Sequence, residues 1–127
     1  MLKVGHLEER FSFKRLKDVD GGWIMTTQEV IKDLVKFRDD RGWQEFHTLI
    51  GLSRALGIEA SEVEKVFLWK KSDDDLSVED KSALKLEIAD VLTYAFYMCE
   101  KLNVDPNQIV EEKLAKNKQR HWKFEKK

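Results

Sequence analysis

Residues 87–102 read Glu-Ile-Ala-Asp-Val-Leu-Thr-Tyr-Ala-Phe-Tyr-Met-Cys-Glu-Lys-Leu. This stretch decides the fold. Its uncharged run, 91–99, is about half the roughly 20 residues that a bilayer-spanning helix needs. The reading is a central helix, apolar nearly all round in its second half, beginning between Ser77 and Ser82 and reaching Leu102. A helix of that kind must be covered by others.

Composition agrees. The chain has 127 residues, one Pro, six Gly and one Cys. The length suits one domain with a real core. So little turn punctuation excludes an all-β sandwich or barrel. A lone cysteine, Cys99, permits no internal disulfide framework and suits a reducing, cytoplasmic setting; it reads as a small core residue. No apolar segment with a cleavage site opens the chain, and no membrane span is expected.

Outward from the central stretch, three more helices are expected. The first covers about 27–41: Val30, Leu34 and Phe37 recur at helical spacing, Thr26 and Glu29 have capping-box spacing, and Gly42 ends it. The second covers about 48–70, with Leu49, Leu52, Leu56, Val63, Val66 and Phe67 on its apolar side. Gly51 and Gly57 each weaken it by about 1 kcal/mol relative to Ala. A polar loop at 71–75 separates it from the central helix. The last runs from Pro106 to about Arg120, with Asp105 as cap and Gln108 completing a box. The expected fold is an all-α bundle of four main helices. Since four helices cannot cover a helix apolar on most faces, homo-oligomerisation should complete it. Residues 1–24 lack any helical stripe and read as an N-terminal appendage to the domain at 25–127.

Four acids carry the chemistry. Glu59 and Glu62 are three apart on the second helix, and Glu87 and Asp90 are three apart on the third. That spacing puts each pair on one helix face. If the helices pack antiparallel, the pairs can meet. Four converging carboxylates would raise one another's pKa, and a divalent cation would remove that cost. Oxygen ligands alone select Mg²⁺, with Mn²⁺ as the alternative. No His/Cys cluster offers a zinc site, and no Gly-rich loop offers a phosphate cradle. The bland reading, that charges at this spacing are a solvated face, fits Glu59 and Glu62 better than Asp90, which abuts the uncharged run.

Aromatic and basic residues complete the set. Tyr94 is one turn beyond Asp90, and Trp69 is two turns beyond Glu62. Trp43, Phe46 and His47 lie in the link after the first helix. Such rings can stack a planar base, although core packing would also use them. Lys113 and Asn117 share a face, with Arg120 beyond. From Glu111 to Lys127 there are seven Lys/Arg and three Glu. From Glu59 to Glu100 there are eleven Asp/Glu and five Lys. The near-neutral total of −1 therefore averages an acidic middle and a basic end. The basic end has no nucleic-acid reading motif, and no nucleic-acid partner is expected.

In register, these residues carry a family pattern. It comprises 41–48 (Arg-Gly-Trp-Gln-Glu-Phe-His-Thr), Glu59-x-x-Glu62 with 67–70 (Phe-Leu-Trp-Lys), 87–92 (Glu-Ile-Ala-Asp-Val-Leu) with Tyr94, and Lys113-x-x-x-Asn117-x-x-Arg120. The chain resembles the MazG-like all-α nucleoside triphosphate pyrophosphohydrolases, in their compact dCTPase-like branch. The resemblance implies hydrolysis of a (deoxy)nucleoside triphosphate to the monophosphate and pyrophosphate, in nucleotide-pool clean-up, by a homodimer or homotetramer. It implies Glu59, Glu62, Glu87 and Asp90 as Mg²⁺ ligands, with Glu59 or Glu62 acting on the water. It implies Trp43, Phe46, His47, Trp69 and Tyr94 around base and sugar, and Lys113, Asn117 and Arg120 on the phosphates. Two positions depart from the family: Lys65 stands where a further acid is common, and Leu49-Ile50-Gly51 where an Asn is common. The competing expectation is a non-catalytic helical dimerisation or regulatory module, with the acids as surface charge.

Overall fold

The structure is a computed structural model and describes residues 16–17 and 23–121. The expectations for most of 1–24 and for the tail at 122–127 lie outside the described residues. Among the described residues four α-helices form the fold: α1 (Thr27–Asp40), α2 (Leu49–Lys65), α3 (Val78–Leu102) and α4 (Pro106–Lys118). A two-residue ribbon precedes them, β1 (Leu16–Lys17) pairing antiparallel with β2 (Trp23–Ile24). The all-α bundle expected from the periodicity is what the described chain forms.

Capping chemistry sets most boundaries. Thr26 Oγ1 accepts from Glu29 N at 3.1 Å and the Glu29 carboxylate reaches back, so the capping box at α1 is made. Past its other end, Gly42 adopts φ +67, the left-handed turn that costs glycine nothing. At α2 the Thr48 hydroxyl accepts from Gly51 N at 3.0 Å. A Cβ on Gly51 would stand 3.1 Å from that hydroxyl and 3.2 Å from Phe46 O, so the glycine makes room for its own cap. Ser77 and Asp80 form a full box at α3, and Asn103 closes that helix in the left-handed region at φ 63.

Two boundaries differ from expectation. α2 ends at Lys65 rather than about residue 70; 66–69 is a turn, and Trp69 sits at φ 67. At α4, Asp105 caps through Asn107 N at 2.9 Å, while Gln108 Nε2 donates to Glu112 Oε1 at 3.1 Å, so Gln108 does not complete a box.

α3 is the organising element. α2 packs along it, and α1 packs beside them. The buried core consists of Ile31, Val35, Leu52, Tyr97 and Cys99, together with the charged pair Arg38 and Glu100. Burial pushes the Cys99 thiol up, with Asp105 adding to the shift, as suits a packed rather than a reactive thiol. Coverage of α3 stops part-way: Leu92 is 47% exposed and Leu86 is 69% exposed. Ile58 on α2 is also exposed, as are Val110 and Leu114 on α4. No described helix is long and apolar enough to cross a membrane.

Candidate active site

The α2–α3 contact brings acids together. One carboxylate oxygen each from Glu59, Glu87 and Asp90 lie within 4.8 Å of one another. Glu59 and Glu87 are half-buried, while Asp90 is exposed. Burial pushes the Glu59 carboxyl above its ordinary range, and Asp90, Glu87 and Glu62 push it further. The fourth expected acid, Glu62, is turned aside. Its Oε1 accepts from Lys65 Nζ at 2.8 Å, and the ammonium is held charged by the contact. This Glu62–Lys65 pair is exposed.

Glu59 and Asp90 also line a cavity of about 190 Å³ with Leu34, Phe37, Trp43, His47, Thr93, Tyr94 and Tyr97. Trp43, His47 and Tyr94 were expected there. Phe37 meets Trp43 edge-on at 5.4 Å, and the Arg41 guanidinium lies 4.8 Å from the Phe37 ring and 5.6 Å from the Trp43 ring. The turn after α1 thus presents a braced aromatic edge. His47 meets Tyr97 edge-on at 4.7 Å. Its pKa is pushed down by burial first, then by Arg38 and Lys101, so the imidazole is neutral at pH 7. His47 Nδ1 is enclosed without a hydrogen-bond partner among the described residues.

Other expected residues stand apart from this cavity. Phe46 is 68% exposed and does not line it. Trp69 is 97% exposed: once α2 stops at Lys65, the two-turn spacing from Glu62 no longer places it on the Glu62 face. Lys113 and Asn117 lie on α4, with Arg120 beyond its end. Asn117 Oδ1 is enclosed without a hydrogen-bond partner among the described residues.

Thr93, Tyr97, Phe37 and Leu34 were missed as site residues. A signal existed on α3. Thr93, Tyr94 and Tyr97 follow Asp90 by three, four and seven, the positions of one helix face. Tyr97 had been absorbed into the apolar run, and Phe37 and Leu34 into the core stripe of α1.

This fold and site define a class. The chain belongs to the MazG-like family, which residues 55–127 match. It is similar to dCTP pyrophosphatase 1 of Mus musculus, 29% identical over 100 residues, covering 76% of this chain and 59% of that protein. The Bos taurus dCTP pyrophosphatase 1 is 28% identical over the same shares. The chain thus spans about three-fifths of the length of these curated relatives. Among solved structures it resembles a pyrophosphatase from Archaeoglobus fulgidus, with 33% identity and a TM-score of 0.69. That match covers 81% of this chain and 95% of the archaeal one.

Proposed function

We propose that this chain is a nucleoside triphosphate pyrophosphohydrolase, converting a (d)NTP and water to the (d)NMP and pyrophosphate. One observation carries the reading: the Glu59, Glu87 and Asp90 oxygens converge, and two of these acids, Glu59 and Asp90, line a cavity walled by aromatic rings. Acids beside flat apolar surface match a ligand that is half polyphosphate and half base. The relatives named for dCTP and pyrophosphate cleavage support the same class.

The donor set fits a divalent cation. It is all oxygen, it spans two helices, and its mutual repulsion already shows at Glu59. Glu59, Glu87 and Asp90 would hold Mg²⁺, or Mn²⁺. Glu62 would join by leaving Lys65, an exposed ion pair that solvent screens strongly. When bound, the cation supplies neutralisation of phosphate charge. The protein's own groups do the rest. Trp43, His47 and Tyr94 hold the base and sugar. Glu59 or Glu62 orients or deprotonates the water that attacks the α-phosphorus, and the bond to the bridging oxygen breaks to release pyrophosphate. Deoxynucleotides are the proposed substrates, and pool clean-up in the cytoplasm the proposed role.

A homodimer or homotetramer is part of this proposal. The uncovered apolar residues of α2, α3 and α4 supply the surface for it. In that assembly Lys113, Asn117 and Arg120 would reach the phosphates of a neighbouring subunit, and Phe46 and Trp69 would gain cover at a site or interface. Residues 1–24 are proposed to stand outside the catalytic unit; their removal should leave activity and melting temperature unchanged. The reading as a whole is tested by assaying pyrophosphate from a nucleotide panel with Mg²⁺, and silence across the panel rejects it.

A further inference from the structure

Among the described residues, Arg38 and Glu100 are the two buried charged residues, and the chemistry above uses neither. Their side chains are 1% and 2% exposed. Arg38 Nη1 donates to Glu100 Oε2 at 3.0 Å, and Nε donates to Asp39 Oδ1 at 3.0 Å. Those two carboxylates outweigh the burial that disfavours the guanidinium charge, so Arg38 stays charged. Stability is a weak reason for such a pair. Desolvation offsets much of the attraction, and apolar residues of like volume often pack as well or better.

What the pair touches is more specific. The guanidinium carbon lies 6.0 Å from the centroid of the Tyr97 ring. Tyr97 is itself tied to α1, its hydroxyl donating to Leu34 O at 2.8 Å. The other ring contact of Tyr97 is His47, edge-on at 4.7 Å. Arg38 also holds the turn after α1, since its carbonyl accepts from Trp43 N at 3.1 Å. Trp43, His47 and Tyr97 all line the cavity. His47 makes no hydrogen bond at Nδ1 among the described residues, and its ring packs edge-on against Tyr97.

We propose that Arg38 and Glu100 are positioning residues for nucleotide binding, locking Tyr97 and, through it, the His47 ring and the turn bearing Trp43. This rests on the nucleotide-binding reading of the cavity. Among the described residues the pair's side-chain hydrogen bonds and ion pairs run to each other and to Asp39 rather than to Glu59, Glu87 or Asp90, so the proposed role falls on binding rather than on the chemical step. A residue that only positions a binding wall affects ground state and transition state alike, which appears in KM and not in kcat.

The test uses the full chain as wild type, as the double variant Arg38→Met with Glu100→Met, and as Glu100→Gln. The double variant removes both fully buried charges together and leaves Asp39, which is 30% exposed, to be met by solvent. It should melt near the wild type, with KM for the preferred triphosphate raised about tenfold or more and kcat within about twofold. Glu100→Gln, which keeps the shape, should raise KM in the same direction. An unchanged KM in either folded variant overturns the proposal, as does a loss confined to kcat. A second readout is independent of turnover: the His47 imidazole NMR shifts should move in both variants, and unmoved shifts overturn the proposal. Wild-type protein that releases no pyrophosphate from any nucleotide would instead sink the functional reading, leaving the NMR result to decide the positioning role.

Discussion

Glu59 on α2 and Asp90 on α3 bring carboxylate oxygens within 4.8 Å of each other, with Glu87 as third member of the cluster, and the first two line a cavity that Trp43 and Tyr94 also line. Helix packing has put like charges where they repel. A bound cation converts that cost into affinity.

Metal linkage follows. Mg²⁺ at about a hundred times its Kd should stabilise the fold by about 2.7 kcal/mol, several degrees of melting temperature for a domain of this size. Asp90→Asn or Glu59→Gln should lose most of that shift and lower turnover by more than about a hundredfold, the range that losing a mere outer-shell partner already reaches. Thermal melts with and without Mg²⁺ and EDTA check both variants. Glu62→Gln should also abolish turnover while leaving the fold intact, whereas Lys65→Ala should leave the melting temperature nearly unchanged.

Trp69 sets stability against function. It is a bulky residue at φ 67 with its side chain in solvent. Trp69→Gly removes left-handed strain that costs a non-glycine residue about 1–2 kcal/mol, although glycine gives part of that back as unfolded-state entropy. The variant should melt no lower than wild type, yet bind nucleotide more weakly or assemble less well. Calorimetry paired with KM and light scattering separates the two effects.

Leu52 anchors α2 in the core and is 2% exposed. Leu52→Ala removes buried methyl groups and leaves a void, so unfolding free energy should fall by about 2–5 kcal/mol. Urea denaturation measures it.

Asp80 gives the acid limb of stability. Its carboxylate accepts from Ser77 N at 2.9 Å and pairs with Lys70 at 2.9 Å, and these hold its pKa down to about 2. The folded value lies below the unfolded one, near 3.8. Stability from this group is therefore present above the unfolded value and lost as pH falls toward about 2. In Asp80→Asn that part of the acid-induced loss should vanish, which melts taken from pH 5 downward reveal.

What could be read without the structure was mainly local. A spacing of three within a helix fixes a shared face, so both carboxylate pairs were visible, as were the Thr26–Glu29 box and the Gly42 stop. What escaped was set by packing. No Gly or Pro marks the end of α2, so Trp69 was placed on a helical face that stops short of it. Tyr97 is apolar enough to pass for core, although its seven-residue step from Asp90 puts it on the Asp90 face. Arg38 meets Glu100 across 62 positions of chain, and nothing local to either residue announces the other. The pairing of Glu62 with Lys65 is one rotamer choice that spacing leaves open.

The decisive measurement is the product ratio from a nucleoside triphosphate panel incubated with the full chain and Mg²⁺. Monophosphate and pyrophosphate should form one to one from at least one deoxynucleotide, and Asp90→Asn should form neither. Orthophosphate with a diphosphate product, undiminished turnover in folded Asp90→Asn, or no product from any nucleotide would contradict a pyrophosphohydrolase centred on Glu59, Glu87 and Asp90.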